Sequence, residues 1–363
     1  MISSSSPPIS KASLLALGNR SIEEALSVFE ALYRRTKAPE SPIVILHSNK
    51  GKTVSLGCFQ IADEDFVTSY LNRKGLKYFF RLHGGDVMLH DEKQVGIGLI
   101  VPQDEKYSGL HASLIGFLLK RNNVKDFQVT NDYVLCFNKV LGETLHLEKE
   151  NLSSWFTVIY LKRNYEEIAG LKLSKEQMVK ERISRLRESC IGLDQVLRKQ
   201  VSANSLFETV RSVLSGELNF KLKALRLGLV DKKVFWKTRE MLKKNSISEA
   251  VQLKYSSMLK EKGAVLLSKM LMNGFLRMRV KTRDNTLEKV NISGSFVFEP
   301  PEKLDAFEKM LEGKELDESL LTEKVTEFFI NEKVKASFTS LDVVELLCKA
   351  AGGLNEHGGE EGA

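Results

Sequence analysis

Arg81-Leu82-His83-Gly84-Gly85-Asp86-Val87-Met88-Leu89-His90-Asp91 is the most unusual segment of the chain, and it sits between two apolar runs of strand length, 77–81 and 95–101. Paired glycines let backbone N–H groups approach an anion closely, and an arginine holds a carboxylate or phosphate with two parallel hydrogen bonds. The segment therefore reads as an anion-binding turn. The plainer alternative is a Gly-Gly hairpin flanked by incidental charge.

Upstream, Ser21 followed by Glu24 forms a capping box, and Ile22, Ala25, Leu26, Phe29 and Leu32 fall on one helical face. Runs at 43–47, 53–56, 77–81 and 95–101 are rich in β-branched or aromatic residues and bounded by Gly, Lys or Asn, which predicts strands. A helix at 110–119 and strands at 133–137 and 155–161 follow. Strands thus cluster with few helices between them, so the expected class is α+β with a mixed, largely antiparallel sheet and not a doubly wound fold.

A second segment, Asn131-Asp132-Tyr133-Val134-Leu135-Cys136-Phe137-Asn138-Lys139-Val140-Leu141-Gly142, places a lysine after a strand and before a glycine. A lysine held there can stabilise the charge that builds on a phosphate under attack. The plainer reading is a surface lysine in a turn, with Asn131 and Asp132 making an Asx turn.

From 174 to 255 the apolar period becomes helical, with Ile183, Leu186, Cys190 and Leu193 in one stripe and Leu206, Val210 and Val213 in another. Beyond it, Leu276, Met278 and Val280 alternate with Arg277, Arg279 and Lys281 in a half-buried strand, and a second strand ends at a turn at Gly294. Pro300 and Pro301 introduce a helix over 303–311 that stops at Gly313. The expected organisation is a tail at 1–12, a catalytic domain at 13–200, a helical connector at 201–252, an accessory domain at 253–345 and a mobile tail at 346–363.

The 363 residues suit two cores, and 54 Lys+Arg against 47 Asp+Glu give +7, most of the excess lying on helices between 175 and 244, where a solvated face explains it. No nucleic-acid motif accompanies the charge, so no nucleic-acid partner is expected. Cys58, Cys136, Cys190 and Cys348 lack CxxC spacing and read as reduced thiols; the histidines lack paired spacing, which argues against structural zinc. Neither a leader nor a membrane-spanning run is evident, so the expectation is a cytoplasmic protein without a membrane partner.

The two segments together resemble the lipoate-protein ligase family, within the biotin and lipoate ligase group. Arg81, Gly84, Gly85, His90 and Asp91 fall in step with its motif Arg-x-Ser/Thr-Gly-Gly-Gly-Ala-Val-x-His-Asp, and Asn131, Asp132, Lys139 and Gly142 with its Asn-Asp…Lys-Ile-x-Gly. Val54, Gly57 and Gln60 match a preceding Val-x-x-Gly-x-x-Gln strand, the stretch 19–26 is similar to the opening helix, and Ile292, Ser293, Gly294, Phe296 and Pro300 resemble the core of the accessory domain. Coverage runs from about Asn19 to Phe328.

This resemblance implies a class II synthetase-like sheet and an ATP-dependent ligase that forms lipoyl-AMP and passes the lipoyl group to a carrier lysine. It assigns Lys139 to the lipoyl carboxylate and α-phosphate, Arg81, His83, Gly84 and Gly85 to the border of the pocket, Asn131 and Asp132 to the nucleotide, and Gly142 and Thr157 to substrate or ATP binding. Asp132 is the expected contact to magnesium; ATP, magnesium and lipoate are the expected ligands. The expected partner is a lipoyl carrier such as the glycine-cleavage H protein or a 2-oxoacid dehydrogenase E2. His90 is given a structural role and Gln60 a supporting one.

The chain departs from the pattern at Asp86, which replaces a third glycine, at His83, at Glu143 and Thr144, and at Trp155-Phe156, where the family often has His-Gly. Two alternatives stay open: an octanoyl or lipoyl transferase of the same fold using a cysteine, and a lipoate-binding paralogue without catalysis.

Overall fold

The computed structural model describes residues 10–34, 39–65, 68–149, 151–172, 176–226, 232–271 and 274–356. Its strands in chain order are β1 (Ser10–Arg20), β2 (Ile43–Asn49), β3 (Thr53–Leu56), β4 (Lys77–Phe80), β5 (Met88–His90), β6 (Gln94–Pro102), β7 (Phe127–Val129) and β8 (Tyr133–Cys136). There follow β9 (Lys139–Lys149), β10 (Leu152–Tyr160), β11 (Phe220–Ala224), β12 (Ala264–Leu271), β13 (Gly274–Arg283), β14 (Thr286–Ser295), β15 (Phe298–Glu299) and β16 (Lys335–Ala336). The chain divides into two compact units, one of residues 1–53 with 89–240 and the other of residues 54–88 with 241–363.

The first unit is built on an eight-stranded sheet in the order β11-β1-β2-β6-β10-β9-β8-β7. Only the pairs β11-β1 and β1-β2 are parallel; the others described are antiparallel, so the sheet is mixed and mainly antiparallel, as expected. Side chains alternate between its two faces. Val44, Leu46, Ile97, Leu99 and Ile159 join Leu114, Ile115 and Leu118 of the helix Leu110–Arg121 in one core. On the other face Phe29, from the helix Ile22–Tyr33, meets Phe156 edge-on at 5.3 Å. Ser21 caps that helix as anticipated, accepting the amide of Glu24 at 3.3 Å.

Three stretches differ from expectation. Ser10–Ala12, assigned to a tail for their Ser/Pro-rich surroundings, open β1, which is fixed by parallel partners β2 and β11 that are distant in sequence. Inside the helical connector, Phe220–Ala224 forms β11, and Leu206, Val210 and Val213 of the helix Ala203–Ser215 enter the first unit's core. Residues 346–356, also assigned to a tail, continue the helix Ser340–Glu356, with Leu346, Leu347 and Ala350 buried. The remainder of both predicted tails, 1–9 and 357–363, lies outside the described residues.

The second unit holds a β12-β13-β14 sheet, with Leu276, Met278 and Val280 fully buried on one face as the alternation predicted. Its core also takes Leu304, Phe307 and Leu311 of the helix Leu304–Leu311, together with Cys58, Phe59 and Ile61 from the loop after β3. Phe59 stacks on Phe296 at 4.9 Å, so residues far apart in sequence share one apolar centre.

Candidate functional site

In the second unit the Arg81 segment folds around its own guanidinium. Arg81 is buried at the end of β4; Nη1 donates to Ser55 Oγ at 2.7 Å, and Nη2 to the carbonyls of Asp86 at 2.7 Å and Gly84 at 3.3 Å. A charged donor spanning these acceptors fixes the turn at residues 84–86. His83 Nδ1 lies 2.7 Å from Glu299 Oε1.

The glycine pair serves a close backbone approach within this unit. A Cβ on Gly84 would stand 1.9 Å from the Phe296 carbonyl oxygen, and the amide of Gly85, at φ +99°, donates to that oxygen at 2.8 Å. Gly57 is equally constrained, since a Cβ there would lie 2.2 Å from the Gly85 carbonyl oxygen. Asp86 is exposed and accepts the amide of Val87 at 2.7 Å, a local turn contact. Gln60 is buried and accepts the Gly57 amide at 2.9 Å. In the first unit, His90 and Asp91 are buried, and burial raises the Asp91 carboxyl above its usual range.

The other candidate residues lie on the sheet of the first unit, at Lys139, Gly142 and Thr157, or in the turn between β7 and β8, at Asn131 and Asp132. Phe137 and Asn138 both have positive φ, 51° and 59°, giving the tight hairpin that pairs Cys136 with Lys139. Lys139 is therefore the first residue of β9 and half-buried, and its Nζ donates to the carbonyl of Arg187 at 2.9 Å. That carbonyl belongs to the last turn of the helix Glu176–Ser189, where the helix dipole favours a cation. The bond uses one of the three ammonium donors. Gly142 is required by β10, because a Cβ would approach the Val158 carbonyl oxygen to 2.6 Å.

Asn131, Asp132 and Thr157 are drawn into one polar network. The register of β9 and β10 sets Thr144 opposite Thr157 and His146 opposite Trp155. Thr157 Oγ1, fully buried, lies 3.0 Å from Thr144 Oγ1 and 2.8 Å from His111 Nε2, while the Thr144 amide donates to the Asp132 carbonyl at 2.8 Å. Trp155 Nε1 donates to Asn131 Oδ1 at 3.2 Å, and its ring stacks with His111 at 5.3 Å and 3° and with His146 at 4.9 Å and 7°. Burial, reinforced by His146, lowers the His111 pKa to about 4, so this imidazole is neutral at pH 7.

Sequence reasoning passed over His111 and His146, and noted Trp155 only as a departure. The signal was the alternation Thr144, His146, Glu148 against Leu145, Leu147, a strand pattern whose pairing with 152–160 aligns the two aromatic rings.

The other departures are accommodated. Glu143 accepts from Arg163 Nη2 at 3.0 Å and from the Tyr160 hydroxyl, and Arg163 stacks over the Tyr160 ring at 3.4 Å. Phe156 lies against Gly96, whose missing side chain makes the room, since a Cβ there would be 2.8 Å from the ring. Cys58 and Cys136 are buried; burial pushes the Cys58 thiol far up and the Cys136 thiol up to about 11. Among the described residues there is no cluster of three or more His, Cys, Asp or Glu able to hold a metal, and no helix is long and apolar enough to cross a membrane.

Comparison with solved structures gives the same fold. LipL1 of P. falciparum in complex with lipoate superposes with a TM-score of 0.64 at 13% identity, covering 93% of this chain and 98% of that one. The bi-partite lipoate protein ligase of Thermoplasma acidophilum, described with its E2 lipoyl domain, gives 0.55 at 17% identity over 65% of this chain and 93% of that one. A lipoate-protein ligase A bound with ATP gives 0.51 at 16% identity over 64% and 95%. No curated protein matches the sequence. The profile of the lipoyl protein ligase A/B catalytic domain matches residues 21–215, more than half of the chain, and the protein belongs to that family.

Proposed function

We propose that the protein is an ATP-dependent lipoate-protein ligase. The lipoyl carboxylate attacks the α-phosphorus of ATP and pyrophosphate leaves, giving lipoyl-AMP. A carrier lysine, as the free amine, then attacks the acyl carbon, AMP departs and the nitrogen loses its proton. The observation that carries this reading is the shared sheet that holds Lys139, Gly142 and Thr157, with Asn131 and Asp132 in the turn between its strands β7 and β8, inside the stretch matched by the catalytic-domain profile.

Lys139 is assigned the charge that accumulates on the α-phosphate, at a strand start where its ammonium keeps donors beyond the one given to Arg187. Asn131 and Asp132 are assigned to the nucleotide. The exposed Asp132 carboxylate fits a magnesium ion carried mostly by phosphates and water, which needs only one or two protein carboxylates. Bound there, the ion would neutralise phosphate charge. Arg81, His83, Gly84 and Gly85 are assigned to the border of the lipoyl pocket, Arg81 and the glycines by fixing the backbone of their turn.

By the same reading, residues 13–200 carry adenylation and 253–345 are accessory, while 203–224 are packed into the first unit and serve its sheet. The acceptor is assigned to a lipoyl carrier domain, the partner named with the Thermoplasma ligase, and the reaction to the cytoplasm. A cysteine-dependent transferase is disfavoured by the buried Cys58 and Cys136 thiols with their raised pKa.

Lipoate-dependent exchange of pyrophosphate into ATP tests the proposal. Exchange is expected. Acyl transfer from a carrier without ATP would replace it with the transferase, and tight lipoate binding with neither activity would replace it with a binding protein.

A further inference from the structure

Trp155 stands where the family often has a histidine, and its surroundings give it one outward-acting group. Its ring is stacked with His111 from the helix Leu110–Arg121 and with His146 from β9, so its position is held from two elements. His111 is anchored in turn at Thr157 Oγ1, 2.8 Å away, and Thr157 at Thr144, 3.0 Å away. What the indole presents is its Nε1–H, directed at Asn131 Oδ1 at 3.2 Å.

An indole N–H donates and never accepts. It therefore selects one of the two orientations of the Asn131 amide: oxygen towards Trp155, nitrogen away from it. Asn131 is exposed and begins the loop that enters β8, so without such a partner its side chain would rotate freely.

We propose that Trp155 is a positioning residue that locks the Asn131 amide with its Nδ2 donors turned outward, so that Asn131 recognises an acceptor oxygen or ring nitrogen of the nucleotide. The inference rests on the assignment of Asn131 to ATP. It adds which atom of Asn131 makes the contact and why a tryptophan at position 155 is compatible with the site.

The test uses the full chain, with ATP–magnesium binding followed by calorimetry and lipoate-dependent pyrophosphate exchange followed in parallel. Trp155→Phe keeps an aromatic ring for the two imidazoles and removes the donor. It should raise both the dissociation constant and the KM for ATP about fivefold, the scale of one hydrogen bond, with kcat and the KM for lipoate within about twofold. Asn131→Ala should produce a similar rise, and the double variant no more than Asn131→Ala alone, because both changes remove the same contact.

Asn131→Asp keeps the acceptor for Trp155 but turns a carboxylate oxygen towards the ligand, and it should weaken ATP more than Asn131→Ala. This variant touches no ring of the stack and carries the test alone should Trp155→Phe unfold. Multiplying effects in the double variant, an unchanged affinity for ATP in Trp155→Phe, or wild-type affinity in Asn131→Asp would each overturn the proposal. A wild type that binds ATP without exchange would sink the ligase reading while leaving the binding shifts to decide this one. A wild type that binds no ATP sinks both.

Discussion

The amide of Gly85 donates to the carbonyl of Phe296 at 2.8 Å, a hydrogen bond that ties the first motif to the residue after β14, more than two hundred positions downstream. The neighbouring Gly84 leaves no room for a side chain against the same oxygen. Both glycines are thus demanded by main chain of their own unit, and any role they have at a ligand is additional to that.

Gly84→Ala should therefore be costly. With a Cβ forced to 1.9 Å from a backbone oxygen and 3.1 Å from the Phe59 ring, the main chain itself must shift. Overpacking against backbone predicts a loss of roughly 2–3 kcal/mol or more. Gly51→Ala, in open space at φ +74°, should cost only about 1 kcal/mol. Urea denaturation of the two variants measures the difference, and equal losses would contradict the packing argument.

Lys139→Ala should abolish adenylation while leaving the fold intact. Exchange activity should fall by on the order of a hundredfold or more, as expected for a lost charge at a phosphate under attack. Its side-chain bond to the Arg187 carbonyl is solvent-accessible, so stability should change by less than about 1 kcal/mol. Unchanged turnover would remove Lys139 from the chemistry.

Acid should destabilise the first unit through His111. Its folded pKa is lowered by burial from 6.5 to about 4, so between those values the unfolded chain binds the extra proton. Stability is complete above pH 6.5 and is lost as pH falls towards 4, by roughly 3 kcal/mol at most for this one group. His111→Gln retains an amide that can bond Thr157 and should flatten that slope in hydrogen exchange of 110–121.

The second unit should respond in the opposite sense through Glu308. Burial raises its carboxyl from 4.5 to about 7, against the pull of Lys254 at 2.6 Å, while the side chain accepts the Ile292 amide at 2.5 Å. The folded form holds the proton longer, so this contribution is complete below pH 4.5 and lost as pH rises through 7. Glu308→Gln keeps the acceptor for Ile292 and removes the titration. Hydrogen exchange of β14 should then lose its dependence on pH over that interval.

Much of the fold was legible because its signals are local. The Ser21 cap, the run at 53–56 and the alternation of Leu276, Met278 and Val280 each depend on residues within a few positions, and all three stand as read. β1 and β11 were not legible, since each is a strand only by virtue of a parallel partner distant in sequence. β9 was not read as a strand, because its polar face of Thr144, His146 and Glu148 resembles an exposed loop until β10 is laid beside it.

By itself, the sequence determined which residue types are available: a glycine pair beside an arginine, an Asn-Asp step, a lysine after a strand, and periods that separate strand from helix. Tertiary structure decided what those groups are bonded to. A guanidinium, an amide or an indole binds whichever acceptor the packing brings within about 3 Å, and that distance is set by contacts between elements distant in the chain. Hence Arg81 closes its own turn, Gly85 meets Phe296, and Trp155 finds Asn131.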